Sequence, residues 1–137
     1  MTSKEYLSEI RFIDIKIKRK EHQIDMLKDM VTDITQKLND MPKTESKDNS
    51  PMANMIIKII DLESEVKKLK SLLEDKKAEA LSYILRLEDD EYQTLLILRY
   101  LQLMNWEEIA KEMHYSKRWL YKMHGTALVL FSTILNS

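Results

Sequence analysis

Residues 105–120 contain two helix starts separated by a short turn, and they read NWEEIAKEMHYSKRWL. Asn105 and Ser116 are of the types that cap helix N-termini, because their side-chain oxygens accept hydrogen bonds from first-turn amides. We therefore predict one helix over Trp106–Met113 and another from Lys117 onward. Only residues 114 and 115 separate them. A short helix, a tight turn and a second capped helix are the elements of a helix-turn-helix.

Apolar residues recur at helical spacing through both predicted helices, which supports this arrangement. They are Ile109, Ala110 and Met113 on the first helix, and Leu120, Met123, Ala127 and Phe131 on the second. At about 100° per residue, the opposite face of the second helix carries Arg118, Tyr121, Lys122 and Gly125, with Lys117 beside them.

That face holds cations and a phenol but no acid, which suits a recognition helix whose Arg and Lys side chains bond phosphates or guanine edges. The alternative is an ordinary solvated helix face. The candidate DNA contacts are Ser116, Lys117, Arg118, Tyr121 and Lys122.

An acidic run, residues 88–91, precedes the helix-turn-helix. Acidic side chains are favourable at the positive N-terminal end of a helix, so we predict a helix over about residues 90–103 and interpret the run as a solvated cap. The residues expected to complete the core are Tyr92, Leu95, Leu96 and Leu98. We predict a helix-turn-helix domain over residues 88–137.

The first 87 residues carry two heptad runs, a pattern typical of coiled coils. In the first run the a positions are Ile10, Ile17, Ile24, Val31 and Leu38, and the d positions are Ile13, Lys20, Leu27, Ile34 and Met41. In the second the a positions are Met52, Ile59, Val66, Leu73, Ala80 and Leu87, and the d positions are Met55, Leu62, Leu69, Lys76 and Tyr83.

A polar stretch bounded by Pro42 and Pro51 separates the two runs, and we predict a loop over residues 42–51. The runs are in phase for an antiparallel hairpin over residues 1–87, in which paired residue numbers sum to 93 and each a position meets a d position. The same stripes can instead pair between chains. Because a two-helix hairpin leaves apolar surface exposed, we expect a homodimer or a higher homo-oligomer.

Some residues have two interpretations. Lys20 and Lys76 interrupt the apolar seam, and their stems either reach the edge of the coil or fix its register. The basic cluster at residues 16–20 is either a solvated face or a basic arm near DNA. Trp106 and Trp119 neighbour apolar stripes, so we interpret them as core residues rather than stacking platforms.

Composition excludes several classes of protein. The chain has no cysteine, one glycine, two prolines and a net charge of -1, so disulfide scaffolds, thiolate sites and glycine-rich phosphate loops are excluded. Its apolar stretches are shorter than the roughly 20 residues of a membrane span, and its N-terminus lacks a secretory segment. The three histidines lack metal-ligand spacing, and no nucleophile–base pair is suggested. We expect a cytoplasmic all-α protein that is not an enzyme and holds no metal or cofactor.

The C-terminal residues resemble region 4 of bacterial sigma factors. The matching positions are Leu95, Arg99, Tyr100, residues 106–110, Met113, Ser116, Leu120, Met123, Ala127, Leu128 and Phe131. With the N-terminal hairpin, the chain is more similar to sigma-region-4-like phage and prophage regulators of Gram-positive bacteria, of the RinA and ArpU types of late transcription activator. The specific likeness covers about residues 88–131, and the hairpin is similar only in kind.

The resemblance implies that Lys117, Arg118, Tyr121 and Lys122 stand where sigma region 4 reads promoter DNA. Two positions depart from the pattern, since Leu103 and His114 stand where glycine is common. The expected partner is double-stranded DNA, with RNA polymerase as a further candidate.

Three other functions are compatible with the same elements. A phage small terminase subunit would form rings, a sigma-like module would bind RNA polymerase through an acidic or apolar surface of its first helices, and a coiled-coil interaction protein would not bind DNA.

Overall fold

The computed structural model describes residues 1–39 and 50–137, which are all-helical in architecture. The helices are α1 (Ser3–Asn39), α2 (Ser50–Ile84), α3 (Asp90–Leu96), α4 (Trp106–Met113) and α5 (Lys117–Leu135), and α3 continues into a π-helical turn over Ile97–Leu101. Within the described ranges, no helix is long and apolar enough to cross a bilayer.

The predicted loop between the heptad runs ends earlier than expected. Helix α2 begins at Ser50, so Pro51 lies in its first turn rather than in the loop. Proline is tolerated there because a first-turn N–H has no acceptor within the helix. Residues 42–49 of the predicted loop, and the predicted seam position Met41, lie outside the described residues.

The chain divides into two compact units, one formed by residues 1–14 with 72–137 and the other by residues 15–71. The division predicted after residue 87 differs from this one. The first turns of α1 and the end of α2 belong with the C-terminal helices, because Phe131 of α5 packs between the rings of Tyr6 and Tyr83.

In the unit of residues 15–71, α1 and α2 pack through the predicted apolar stripes. The buried residues are Ile17, Ile24, Ile59, Leu62 and Val66. Ion pairs flank them: Lys20 Nζ lies 2.8 Å from Glu65 Oε2, Lys70 Nζ 3.3 Å from Glu21 Oε2, and Lys28 Nζ 3.9 Å from Glu63 Oε2.

In the other unit, the start of α1 lies against the end of α2. The Tyr6 hydroxyl donates to Glu79 Oε1 at 2.5 Å, and Lys76 Nζ lies 3.1 Å from Glu9 Oε2. The buried apolar residues of these two segments are Leu7, Ile10, Leu73, Ala80 and Ile84.

The contacts between α1 and α2 do not follow the predicted sum-93 register. Lys20 was expected opposite Leu73, yet it contacts Glu65, eight positions earlier. Lys76 was expected opposite Ile17, yet it contacts Glu9, which is also eight positions earlier. The register prediction is therefore wrong, because heptads repeat, and their stripes fix which faces meet but allow one helix to slide along the other.

Lys20 and Lys76 keep their charged ends at the edge of the seam. Their side chains are 27% and 33% exposed, and each ammonium meets the carboxylate of a glutamate on the other helix. The interpretation that their stems reach outward from the seam is confirmed.

Candidate nucleic-acid interface

Helices α4 and α5 begin at the predicted caps. Asn105 Oδ1 accepts from the Glu108 amide at 2.8 Å, while Glu108 Oε1 accepts from the Asn105 amide at 3.3 Å, which forms a capping box. Ser116 Oγ accepts from the Trp119 amide at 3.2 Å. Each cap satisfies amides that would otherwise lack an acceptor, so both helix starts are defined locally.

The turn between α4 and α5 consists of His114 and Tyr115. His114 has a left-handed backbone (φ 60°), and its amide donates to the Ala110 carbonyl. The Tyr115 amide donates to the same carbonyl at 3.3 Å, and its hydroxyl bonds to Glu91 of α3. The backbone contacts end α4 at Met113, and the hydroxyl contact connects the turn to α3.

A shared core holds α3, α4 and α5 together. Its buried members are Leu95, Leu98, Ile109, Leu120 and Met123, and its partly buried members are Tyr92, Met104, Trp106, Ala110, Met113 and Tyr115. Every apolar residue predicted for the helix-turn-helix is among these, except Ala127 and Phe131, which are buried farther along α5.

The acidic run caps α3 as predicted, because Asp89 Oδ1 accepts from the amides of Glu91 and Tyr92 at 2.8 and 3.3 Å. The expected helix over residues 90–103 ends sooner. A π-helical turn closes it at Leu101, with the Gln102 amide donating to the Ile97 carbonyl at 2.9 Å. Leu103 then has a left-handed backbone (φ 58°), at the position where the resembling family carries glycine.

The predicted recognition face of α5 is exposed. Arg118 and Lys122 face solvent, and neither has an ion-pair partner among the described residues. Lys117 is different, because its Nζ lies 3.1 Å from Glu107 Oε1 of α4. Tyr121 is 51% exposed, and its ring forms a T-shaped pair with Trp106, with centroids 5.1 Å apart. All five candidate contacts are exposed, and Arg118, Tyr121 and Lys122 are the three that neither pair with a carboxylate nor cap α5.

The two tryptophans differ in environment. Trp106 is half-buried, as the core interpretation expected. Trp119 is 49% exposed, so its assignment to the core is wrong. Trp119 lies only about 60° from Lys122 around α5, and the side of the helix that it occupies is not covered.

An aromatic and cationic cluster adjoins Tyr121 and was missed from the sequence. The Arg99 guanidinium carbon lies 4.6 Å from the Trp106 ring centroid, and the Trp106 ring also meets His124 edge-on at 4.9 Å. The Tyr100 hydroxyl lies 2.7 Å from His124 Nε2. The only sequence signal is the pair Arg99-Tyr100, whose side chains are oriented by a π-helical turn that heptad or helical periodicity does not predict.

A shallow acidic groove of about 260 Å³ lies on α3, α4 and the turn that follows α4. Its lining includes Asp90, Glu91, Glu112, Met113 and Tyr115. No group of three or more His, Cys, Asp or Glu side chains in the described ranges is arranged to hold a metal ion.

Comparison of the chain with protein-family models, curated proteins and solved structures finds no match.

Proposed function

We propose that this chain is a sequence-specific DNA-binding transcriptional regulator of phage or prophage origin. In this proposal α4, the turn and α5 act as a helix-turn-helix, and α5 enters the major groove from Lys117 onward. The α1–α2 pair acts as an antiparallel hairpin through which copies of the chain oligomerise.

One observation carries the proposal: two capped helices joined by a two-residue turn share a core and leave Arg118, Tyr121 and Lys122 exposed. Helix-turn-helix proteins present base-reading side chains from the N-terminal part of the second helix, and these residues occupy its first two turns. Guanidinium and ammonium groups without carboxylate partners are free to bind phosphates or guanine edges.

The proposal of oligomerisation rests on apolar side chains that α1 and α2 leave in solvent. They are Phe12, Ile15, Met26, Met30, Ile56, Ile57, Ile60 and Leu72, each at least 40% exposed. Exposed apolar surface of this kind marks interaction sites. Residues 88–137 hold seven acids against five bases, so one copy attracts DNA weakly and two copies on one site would bind better.

The deciding experiment is selection of bound sequences from random DNA by the full chain, with the molecular mass measured on the same sample. We expect an enriched motif with two half-sites about one helical turn apart, and the mass of a small oligomer. Recovery of unenriched DNA would contradict sequence-specific regulation, and the mass of a large ring would favour the small terminase function.

One variant of the recognition face and one control variant sharpen this test. Arg118→Ala should relax the selected motif, at about 1–3 kcal/mol for a lost bidentate base contact. The matched control is Lys77→Ala in α2, which removes one cation without touching α5 and should leave the motif unchanged.

The acidic groove favours a second candidate function, contact with RNA polymerase through α3 and α4. Its carboxylates, Asp90, Glu91 and Glu112, meet the requirement for an acidic surface on the first helices of a sigma-like module. Retention of purified polymerase by the immobilised chain without DNA, lost in Asp90→Asn with Glu112→Gln, would support this function. Retention unchanged by those substitutions would exclude the groove.

A further inference from the structure

Two cations from distant parts of the sequence meet in the unit formed by residues 1–14 and 72–137, Arg11 of α1 and Arg99 of the π-helical turn. A third, Lys4, lies two turns before Arg11 on the same face of α1. Arg11 Nη1 donates to the Arg99 carbonyl at 3.2 Å, which brings the two guanidinium-bearing residues into contact. Nothing in the linear sequence indicates this cluster.

Arg99 is held in a defined orientation. Its Nη1 donates to the Met104 carbonyl at 3.2 Å, and its guanidinium lies over the Trp106 ring. These hydrogen bonds of Arg11 and Arg99 end on carbonyl oxygens rather than carboxylates. A guanidinium has five N–H donors, so each arginine keeps its charge and further donors for an anion.

Lys4 belongs to the same surface. Ser3 Oγ donates to the Leu128 carbonyl at 2.8 Å, which fixes the first turn of α1 against α5 one turn beyond His124. Burial lowers the pKa of His124, and the nearby charges of Arg99 and Lys4 lower it further. Both cations therefore lie near the side of α5 that carries His124.

The cluster adjoins the exposed face of α5. Trp106 contacts the Arg99 guanidinium on its ring face and the Tyr121 ring in a T-shaped pair, so Trp106 links the cluster to the exposed face of α5 that carries Arg118, Tyr121 and Lys122. A duplex bound along α5 has phosphates on both sides of the major groove, within reach of residues that flank the recognition helix.

We propose that Lys4, Arg11 and Arg99 form a phosphate-binding patch that holds the DNA backbone beside the groove entered by α5. The inference rests on the proposed function and extends it, because it assigns part of the DNA interface to the start of α1. Contacts of this kind position the protein and do not read sequence.

The test measures affinity for a short duplex of arbitrary sequence across a range of salt concentrations, using the full chain. The variants are Lys4→Ala and Arg11→Gln, and the glutamine keeps an N–H donor for the Arg99 carbonyl. Lys77→Ala, a cation of α2 in the same unit, is the matched control. Each lost phosphate contact should reduce the slope of log affinity against log salt by roughly 0.9.

We expect both variants to reduce the slope by that amount and the control to leave it unchanged, with the selected DNA motif intact in all three. Slopes equal to the control would overturn the patch while leaving the proposed function standing. Absence of DNA binding by the unmodified chain at low salt would overturn both. Arg99→Lys, which keeps the charge and loses the planar fork, should weaken binding without unfolding the chain, as circular dichroism can check.

Discussion

The hydroxyl of Tyr100 lies 2.7 Å from Nε2 of His124, and the two rings stack with centroids 5.7 Å apart. Burial raises the pKa of Tyr100, although the nearby charges of Arg99 and Arg11 oppose the rise. Burial also lowers the pKa of His124 to about 4, and the charges of Arg99 and Lys4 lower it further. His124 is therefore neutral in the folded chain near pH 7, and this pair joins the π-helical turn to α5.

The free energy of unfolding should fall in mild acid because of His124. The unfolded chain takes up a proton on this residue near pH 6.5, whereas the folded chain does so only near pH 4. Stability from the neutral imidazole is complete above pH 6.5 and is lost as the pH falls toward 4. After allowance for partial exposure, we expect a loss of about 1–2 kcal/mol in urea unfolding.

His124→Gln provides the control for this pH dependence. The variant has no titrating group at the site, so its unfolding free energy should vary less between pH 6.5 and 4 than that of the unmodified chain. Equal pH dependence in the two proteins would assign the acid sensitivity to other groups.

Ser116→Ala should destabilise the chain by about 1 kcal/mol, because the Trp119 amide loses its acceptor at the start of α5. Thr126→Ala on the same helix is the matched control. Its hydroxyl bonds only to the Lys122 carbonyl one turn back, so the change should stay within about 0.5 kcal/mol. Thermal unfolding of both variants measures the difference, and equal melting temperatures would show that the Ser116 cap contributes nothing.

His114→Gly should stabilise the chain by about 0.5–1 kcal/mol. The left-handed backbone at this exposed position is costly for a residue with a Cβ atom and costs glycine little. His114→Ala is the control, since alanine keeps the Cβ atom and should give no gain. Urea unfolding compares the two, and a gain shared by alanine would point to loss of the imidazole rather than relief of backbone strain.

A zero-length amine–carboxylate crosslinker should join Lys20 to Glu65 and Lys76 to Glu9, because these pairs lie 2.8 and 3.1 Å apart. The sum-93 register would instead put Lys20 beside Glu74, so a Lys20–Glu74 product would contradict the structure. Peptide mass spectrometry identifies the products. Crosslinks formed in a mixture of isotope-labelled and unlabelled chains should stay within one chain, and mixed products would mean that α1 and α2 pair between copies.

Short-range patterns account for most of what the sequence predicted correctly. The predicted caps at Asn105 and Ser116 depend on side chains within three residues of the amides they satisfy, and the acidic run at the start of α3 is equally local, so no distant part of the chain is needed to recognise them. The buried stripe from Leu120 to Phe131 follows from helical periodicity in the same way.

The register of α1 against α2 could not be predicted from the heptad pattern. Heptads repeat, so several alignments bury nearly the same stripes, and the alignment is evident only from contacts in the structure such as Tyr6 with Glu79. The division into compact units differs from the predicted one for a related reason. Phe131 packs against Tyr6 of α1 and Tyr83 of α2, which are far away in sequence.

The sequence by itself predicted α4, the two-residue turn and the start of α5, together with the outward position of Arg118 and Lys122. These features follow from helical periodicity and N-caps, which depend only on neighbouring residues. Only the tertiary structure decided that Trp119 is open to solvent, that Lys117 pairs with Glu107 and that Arg11 contacts Arg99. Those outcomes depend on how separate helices pack together. No local pattern encodes them, because the energy of each contact depends on a partner that lies elsewhere in the chain.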